Sequence, residues 1–437
     1  MREISDTKSE AADAPSANLV SNTVRRILET VDLDRAVQLV QEVCRIPSIL
    51  GEEGELASFL TSVMSESGFE RVELQPVLPD RPNAVGHVSF GDGRTVVMTG
   101  HMDTKPVSHG WSATEPFSGA LIDGSVYGHG VMDMKAALAC QIVAIEAVRA
   151  SGVPVQGTLS MAAVADHMGD QLGSIAYFEE FSADLCVLGE LTDNQVCLRH
   201  RGRYYFDVTT LGRSAHTCHK QQAINANVLA AQAVLALDAS KYEPELDRSI
   251  VDLFGAETYV VPGRIYGGLP PGGPSMIPDE CVIRVDCRPQ PGVTTEQVRA
   301  EIDRCLEVAA KADPRFRAEV VLADVKSGYM AQPDDEVVRL MRTAVREVRG
   351  EEPPLVVENW LGDTASFGEK VPTVIFGPGG PPVYCPDEHL TVADIQEATK
   401  VYALFAALAL TPEEPDSRGC PEGLRQRARP MSRGAFR

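Results

Sequence analysis

The residues of this chain that could do chemistry cluster where apolar stretches end. Thr95-Val96-Val97-Met98-Thr99 runs into Gly100 and then His101-Met102-Asp103. Farther on, Gly128-His129-Gly130 leads to Asp133, directly before a run of small and apolar residues. A strand that ends in His-x-Asp sets both side chains at the carboxyl edge of a sheet, where open α/β sheets bind ligands. An Asp at the mouth of the next helix can reach the same point. Imidazole together with carboxylate suits zinc or a similar divalent ion. A His-x-Asp pair after a strand also serves as a capping or hydrogen-bonding pair, and the glycines around Asp133 also make a turn. At this level both readings stand.

The elements that must carry these residues follow from the spacing of apolar positions. Helical spacing over 34–44 and 53–68 is followed by short strands at 85–90 and 95–99, a helix at 134–151, a strand at 157–164, a helix at 172–181 and a strand at 185–188. This βαβ rhythm predicts an α/β fold with a largely parallel sheet covered by helices. After Glu190 the texture changes. Residues 203–211 alternate like a strand with one exposed face, and further strand and helix patterns follow to about 325, predicting a smaller α+β domain inserted in the first. The expected division is an unstructured 1–23, a large domain over 24–201 and 328–410, the inserted domain over 202–327, and an unstructured tail over 411–437 rich in Pro, Gly and Arg.

Composition narrows the class. The 437 residues are 44% hydrophobic and 23% charged, ordinary for a globular protein of two or three domains. A net charge of -22 argues against nucleic acid, because little is present to neutralise phosphates. No apolar run approaches the roughly 18 residues of a membrane span. The polar start, MREISDTKSEAADAPSANLVSN, does not look like a secretory signal. The 10 cysteines are scattered without paired spacing, as expected of reduced, mostly buried thiols in a cytoplasmic protein.

Six motifs in consistent order then carry a resemblance: His101-x-Asp103; Gly128-x-Gly130 with Asp133-Met134-Lys135; Gly189-Glu190-x-Thr192; Gly212 with His216 and Asn225-Ala226; Asp286-x-Arg288; and Gly377-Pro378-Gly379 with Pro386-Asp387-Glu388. Over about residues 35–410 the chain resembles the zinc metallo-exopeptidase and deacylase family. That family includes aminoacylase, acetylornithine deacetylase, succinyl-diaminopimelate desuccinylase and glutamate carboxypeptidase. The resemblance implies a catalytic domain with an inserted lid that commonly pairs two subunits. It also implies two zinc ions bridged by a carboxylate, and hydrolysis of an amide next to a free carboxylate. Carried over by residue, His101, Asp133 and Glu190 would bind one metal, with Asp133 as the bridge. Asp103 would hydrogen-bond His101 and fix its tautomer. His216 would come from the lid, across a dimer interface, to polarise the scissile carbonyl. Arg288 would clamp the substrate carboxylate. The loop containing Gly377, Gly379 and Gly380 would offer backbone N–H groups to the substrate.

The chain also departs from the family. Where relatives carry Asp-Glu-Glu a few residues before Gly-Ser, this chain carries Asp166-His167-Met168 before Gly173-Ser174. The first Glu of the family is the general base, and the second ligates the other zinc. Counting back from Glu388, Tyr384 stands where the family has a metal-binding His. A thioether suits softer ions than zinc, and a neutral phenol, with a reference pKa of about 10, is a weak donor too. The second site, left with Asp133, Met168 and Tyr384, is therefore expected to be empty or weak. His167 could replace the base, since imidazole is suited to proton transfer near neutral pH, or could merely fill space; Asp170 is a further candidate. Ser275 stands where relatives have an Asn that stabilises the oxyanion. His129 replaces a common Arg, either neutrally or as an extra ligand. Lys135 is as well explained by structure as by function, and His87, His109, His200, His219 and His389 read as surface or turn residues.

The chain is thus expected to hydrolyse an amide in a small N-acyl amino acid or short peptide with a free carboxylate. It would use one Zn2+ ion, which Mn2+ or Co2+ could replace, as a cytoplasmic homodimer with no nucleic-acid or membrane partner. The alternative keeps fold and pocket without hydrolysis, as a small-molecule binding protein or an enzyme of another reaction type.

Overall fold

The computed structural model describes Arg2–Glu3 and residues 17–267 and 275–412. Its main sheet has 10 strands among the described residues. At the centre, Thr95–His101 lies parallel to Thr158–Val164 on one side and to Leu185–Leu188 on the other. Thr373–Ile375 continues parallel to Leu185–Leu188. Outside this centre the direction changes. Arg81–Ser89 runs antiparallel to Thr158–Val164 and forms a hairpin with Arg71–Leu78 across Pro79-Asp80, a connection too short for any parallel pairing. On the far side, Val196–His200 is antiparallel to Thr373–Ile375 and parallel to Leu355–Glu358. The sheet is therefore mixed, with a parallel heart.

That heart explains the apolar runs. Thr95–His101 is buried from Val96 onward, so both faces of the strand must be apolar, as in sheets covered by helices on both sides. Ala136–Ser151 is buried around almost its whole circumference between the sheet and Val392–Ala409, which is why its small and apolar residues show no polar stripe. Gly100 packs closely: a Cβ there would meet the ends of the Met134 and Leu138 side chains. The next residue along that packed pair, Asp133, is thereby brought against His101.

A second core belongs to a four-stranded antiparallel sheet in the order Tyr259–Gly267, Glu280–Arg288, Arg203–Leu211, Ala318–Lys326. Phe206, Val208, Ile283 and Val285 point from one face into helices Ala226–Asp238 and Thr295–Ala312, where Leu229, Ala233, Val298 and Ile302 meet them. The alternating burial of Glu280–Arg288 follows from one covered and one open face. A two-stranded ribbon pairs His216 with Met276 beside it.

The N-terminal expectation needs correction. Arg2–Glu3 pairs with Val357 and Val356, and Ala17–Thr30 is a helix whose Val24 and Ile27 are buried in the main core. The rest of 1–16 and the tail from 413 lie outside the described residues. No helix among the described residues is long and apolar enough to cross a membrane. The nine described cysteines are free. Burial pushes the Cys44 and Cys140 thiols up to about 12, which leaves them unreactive.

Arg201 joins the two sheets. It is 1% exposed, and it donates to Asn359 Oδ1 beside the main sheet and to the carbonyls of Glu257, Arg288 and Phe254 on the lid side. Arg201→Met would leave these acceptors, the buried Phe254 carbonyl among them, without their donor. Denaturant unfolding is expected to show a loss of roughly 2–5 kcal/mol; a change below about 1 kcal/mol would remove Arg201 from this role.

Candidate metal centre

Three chain segments meet at the carboxyl edge of the parallel strands. His101 ends its strand, Asp133 lies in the turn before Ala136–Ser151, and Glu190 follows Leu185–Leu188. His101 Nε2 is 2.9 Å from Asp133 Oδ1 and 3.8 Å from Glu190 Oε1. All three side chains are almost completely buried. Glu190 Oε1 has no hydrogen-bond partner. A buried carboxylate oxygen left unpaired is costly, and it is the feature a cation would satisfy. His101 Nδ1 donates to the carbonyl oxygen of Asp103 at 2.9 Å, which turns Nε2 toward Asp133 and Glu190. This corrects the expected role of Asp103. Its backbone orients His101, while its carboxylate accepts from the N–H groups of His167 and Met168 at 3.0 and 2.8 Å.

The electrostatics describe the same crowding. Burial opposes charge on His101, but the Asp133 carboxylate, backed by Glu190 and Asp103, outweighs it and pushes the imidazole up to about 10. Asp133 is held below the usual carboxylate range by that bond despite its burial. Burial pushes Glu190 up to about 7 against the pull of His101 and His167. His167 stands at the same point. Its Nε2 is 3.9 Å from Glu190 Oε1, and its Nδ1 is 2.9 Å from Asp363 Oδ1. His101, His167 and Glu190 form a group close enough to share an ion. The two imidazoles, however, are stacked with centroids 4.1 Å apart and planes within 12°. A ligating nitrogen holds its metal in the ring plane, and two nearly parallel stacked rings cannot both do so for one ion. The donor set that fits a hard or borderline divalent ion is therefore His101, Asp133 and Glu190, with His167 beside it.

Among the described residues, no second group of His, Cys, Asp or Glu gathers on the other side of Asp133. Tyr384 Oη donates to the Asp133 carbonyl at 3.4 Å, and burial with Asp133 nearby holds the phenol well above its usual range. Glu388 is occupied by the N–H groups of Met132 and Tyr384 at 3.1 Å each. Met168 contributes a thioether to the pocket wall.

The pocket over this cluster has a volume of about 260 Å³ and is lined by Asp133, His167, Glu190 and Tyr384, by Lys105, Arg203 and Arg288, and by Tyr205, Trp360 and Val383 among others. Arg288 lines the pocket, with its Nε and Nη2 held by Asp286. His216 and Ser275 do not line the pocket; they lie exposed on the ribbon, where His216 Nδ1 accepts from the N–H of Cys218. The glycine loop is also corrected. Gly377 N–H donates to Thr192 Oγ1, and a Cβ at Gly379 or Gly380 would meet Met132 or Asp193. These glycines allow close approach to the Glu190 turn. Asp170 is exposed and outside the pocket lining. His129 Nε2 bonds to the Lys105 carbonyl at 2.7 Å, away from the cluster. Lys135 is fully buried, its Nζ on the Ile46 carbonyl at 2.6 Å, with burial lowering it to about 8. His200 is fully buried too, bonded to Thr364 Oγ1 at 2.6 Å. Asp363, Lys105 and Arg203 are the residues that sequence reasoning missed. Arg203 opens an alternating strand, but Asp363 stands in a short loop with no motif around it.

Comparison with known proteins places this geometry among relatives. Residues 97–408 match the model of peptidase family M20/M25/M40. A succinyl-diaminopimelate desuccinylase of Methylobacterium radiotolerans is 27% identical over 386 residues, 84% of this chain and 95% of that one. One of Methylorubrum extorquens is 28% identical over 83% of this chain and 96% of its own. Among solved structures, human carnosine dipeptidase 1 has a TM-score of 0.72 at 19% identity, covering 90% of this chain and 99% of that one. An M20 family metallo-carboxypeptidase of Sulfolobus solfataricus has 0.70 at 17%, covering 86% and 99%.

Metal ligands must be deprotonated to bind, so an ion has to displace protons from His101 and Glu190. Because both are raised in the metal-free site, affinity for Zn2+ is expected to rise steeply from pH 6 toward alkaline pH, with proton release on binding. Calorimetry in buffers of different ionisation enthalpy measures both quantities. An affinity flat with pH would contradict the assignment.

Proposed function

The chain belongs to peptidase family M20/M25/M40, and from that premise we propose that it hydrolyses an amide bond in a small N-acyl amino acid or short peptide bearing a free carboxylate. The observation that carries this reading is the unpartnered, buried Glu190 Oε1 facing His101 and His167 under a pocket rimmed by cations. His101, Asp133 and Glu190 would hold one divalent ion, Zn2+ by preference, with Mn2+ or Co2+ also suited to these donors. Such an ion supplies a Lewis acid for the carbonyl oxygen and makes a water acidic enough to act as nucleophile near neutral pH.

The protein's own side chains would do the rest. His167 Nε2 would take the proton of the attacking water and return it to the departing amine nitrogen, the task of the missing Glu. Lys105, Arg203 and Arg288 make the rim of the pocket favourable to carboxylates, despite the negative charge of the whole chain. Trp360, Leu361 and Val383 give the apolar wall against which an acyl or side-chain group would pack. His216 and Ser275, exposed side by side on the lid ribbon, would serve the pocket of a paired subunit, where His216 polarises the scissile carbonyl. The second ion of the relatives would be missing, since a phenol and a thioether do not replace their ligands.

The test is turnover of a panel of N-acyl amino acids by the full chain with and without Zn2+, Mn2+ or Co2+. His167→Ala is expected to lower kcat by roughly 10²–10⁴-fold while retaining the ion. Unchanged turnover in that variant would remove His167 as the base. A chain that binds both ion and acyl amino acid without turning over would favour the binding-protein reading.

A further inference from the structure

Resting on the reading of His167 as the base, we propose that Asp363 is the positioning residue that keeps the proton of His167 on Nδ1 and so makes Nε2 the basic nitrogen. Of the two carboxylates near the ring, one is within hydrogen-bond distance. Asp363 Oδ1 is 2.9 Å from Nδ1, whereas Glu190 Oε1 is 3.9 Å from Nε2 and has no partner of its own. A neutral imidazole carries one proton. If it sat on Nε2, the nitrogen facing the reaction would have no lone pair. The shorter, in-place bond to Asp363 prevents this.

The surroundings of Asp363 hold it in place for that bond. It precedes the short helix Thr364–Phe367, yet its carboxylate makes no capping bond to that helix, the usual task of an Asp there. It is 1% exposed. The loop that carries it is tied on both flanks. Gln171 Nε2 donates to the Gly362 carbonyl at 3.3 Å and Gln171 Oε1 accepts from Ser366 Oγ. On the other flank, Thr364 Oγ1 bonds to His200 Nε2, and His200 Nδ1 donates to the Arg201 carbonyl. His167 is fixed from its own side by Asp103, which accepts from its backbone N–H. With backbone and Nδ1 both held, the ring can lie flat against His101 with only Nε2 open toward Glu190. A carboxylate that orients a general-base imidazole in this way is known from serine hydrolases, where Asp→Asn leaves the geometry but gives the wrong tautomer.

The experiment has two readouts on the full chain. Long-range 1H–15N spectra of the metal-free protein, taken at alkaline pH where the ring is neutral, identify the tautomer of His167, assigned by its loss in His167→Gln. The native protein is expected to show Nδ1 protonated, and Asp363→Asn to move the proton to Nε2. In turnover with the best N-acyl amino acid, Asp363→Asn is expected to lower kcat by about tenfold or more with KM within about twofold. Asp363→Glu, which keeps an acceptor, should restore the native tautomer in part, and it stands in should the Asn variant not fold. An unchanged tautomer in Asp363→Asn overturns the proposal whatever the turnover. A moved proton with unchanged kcat supports the hold of Asp363 and overturns His167 as the base instead.

Discussion

The site is governed by the confinement of charge. Glu190, Asp133 and Asp363 converge with two imidazoles in a space almost closed to water, and one carboxylate oxygen of Glu190 has no hydrogen bond at all. In such a place each ionised group must find either a proton or a cation. Without an ion, protons settle the matter: His101 becomes strongly basic and Glu190 weakly acidic. A divalent ion at His101, Asp133 and Glu190 would remove the conflict at once, and much of the fold can be understood as the means of keeping these groups together. Gly100 gives up its Cβ to the close packing of Met134, and the backbone of Asp103 turns His101 toward the cluster.

The far side of Asp133 follows the same logic. Met168 and Tyr384 are neutral, so they add no buried charge that needs compensation. His167 comes with a partner of its own, since its Nδ1 is bonded to Asp363. A glutamate base needs no partner to fix its proton, whereas an imidazole has two nitrogens and must be told which one to use. The residue bonded to the Nδ1 of His167 lies far away in the chain.

That distance explains what the sequence hid. His101, Asp133, Glu190 and Arg288 were legible because motifs with fixed spacing tie them to strand ends, and the lid could be seen in the alternation of 203–211. Asp363 was not. It meets His167 across 196 residues of chain, and a lone Asp before Thr-Ala-Ser reads as an ordinary helix start. The antiparallel flanks of the sheet were equally hidden, since a strand such as Val196–His200 is too short to reveal its direction. The glycines after Phe376 misled for another reason. Glycine is required both where backbone N–H groups meet a ligand and where two backbones touch, and only the structure shows that Gly377 lies against the carbonyls of Gly189 and Glu190.

The most direct measurement is anomalous scattering at the zinc edge from crystals of the full chain grown with Zn2+. The account predicts a single peak per chain, within bonding distance of His101 Nε2, Asp133 and Glu190. An empty cluster, or two peaks of equal height on either side of Asp133, would contradict it.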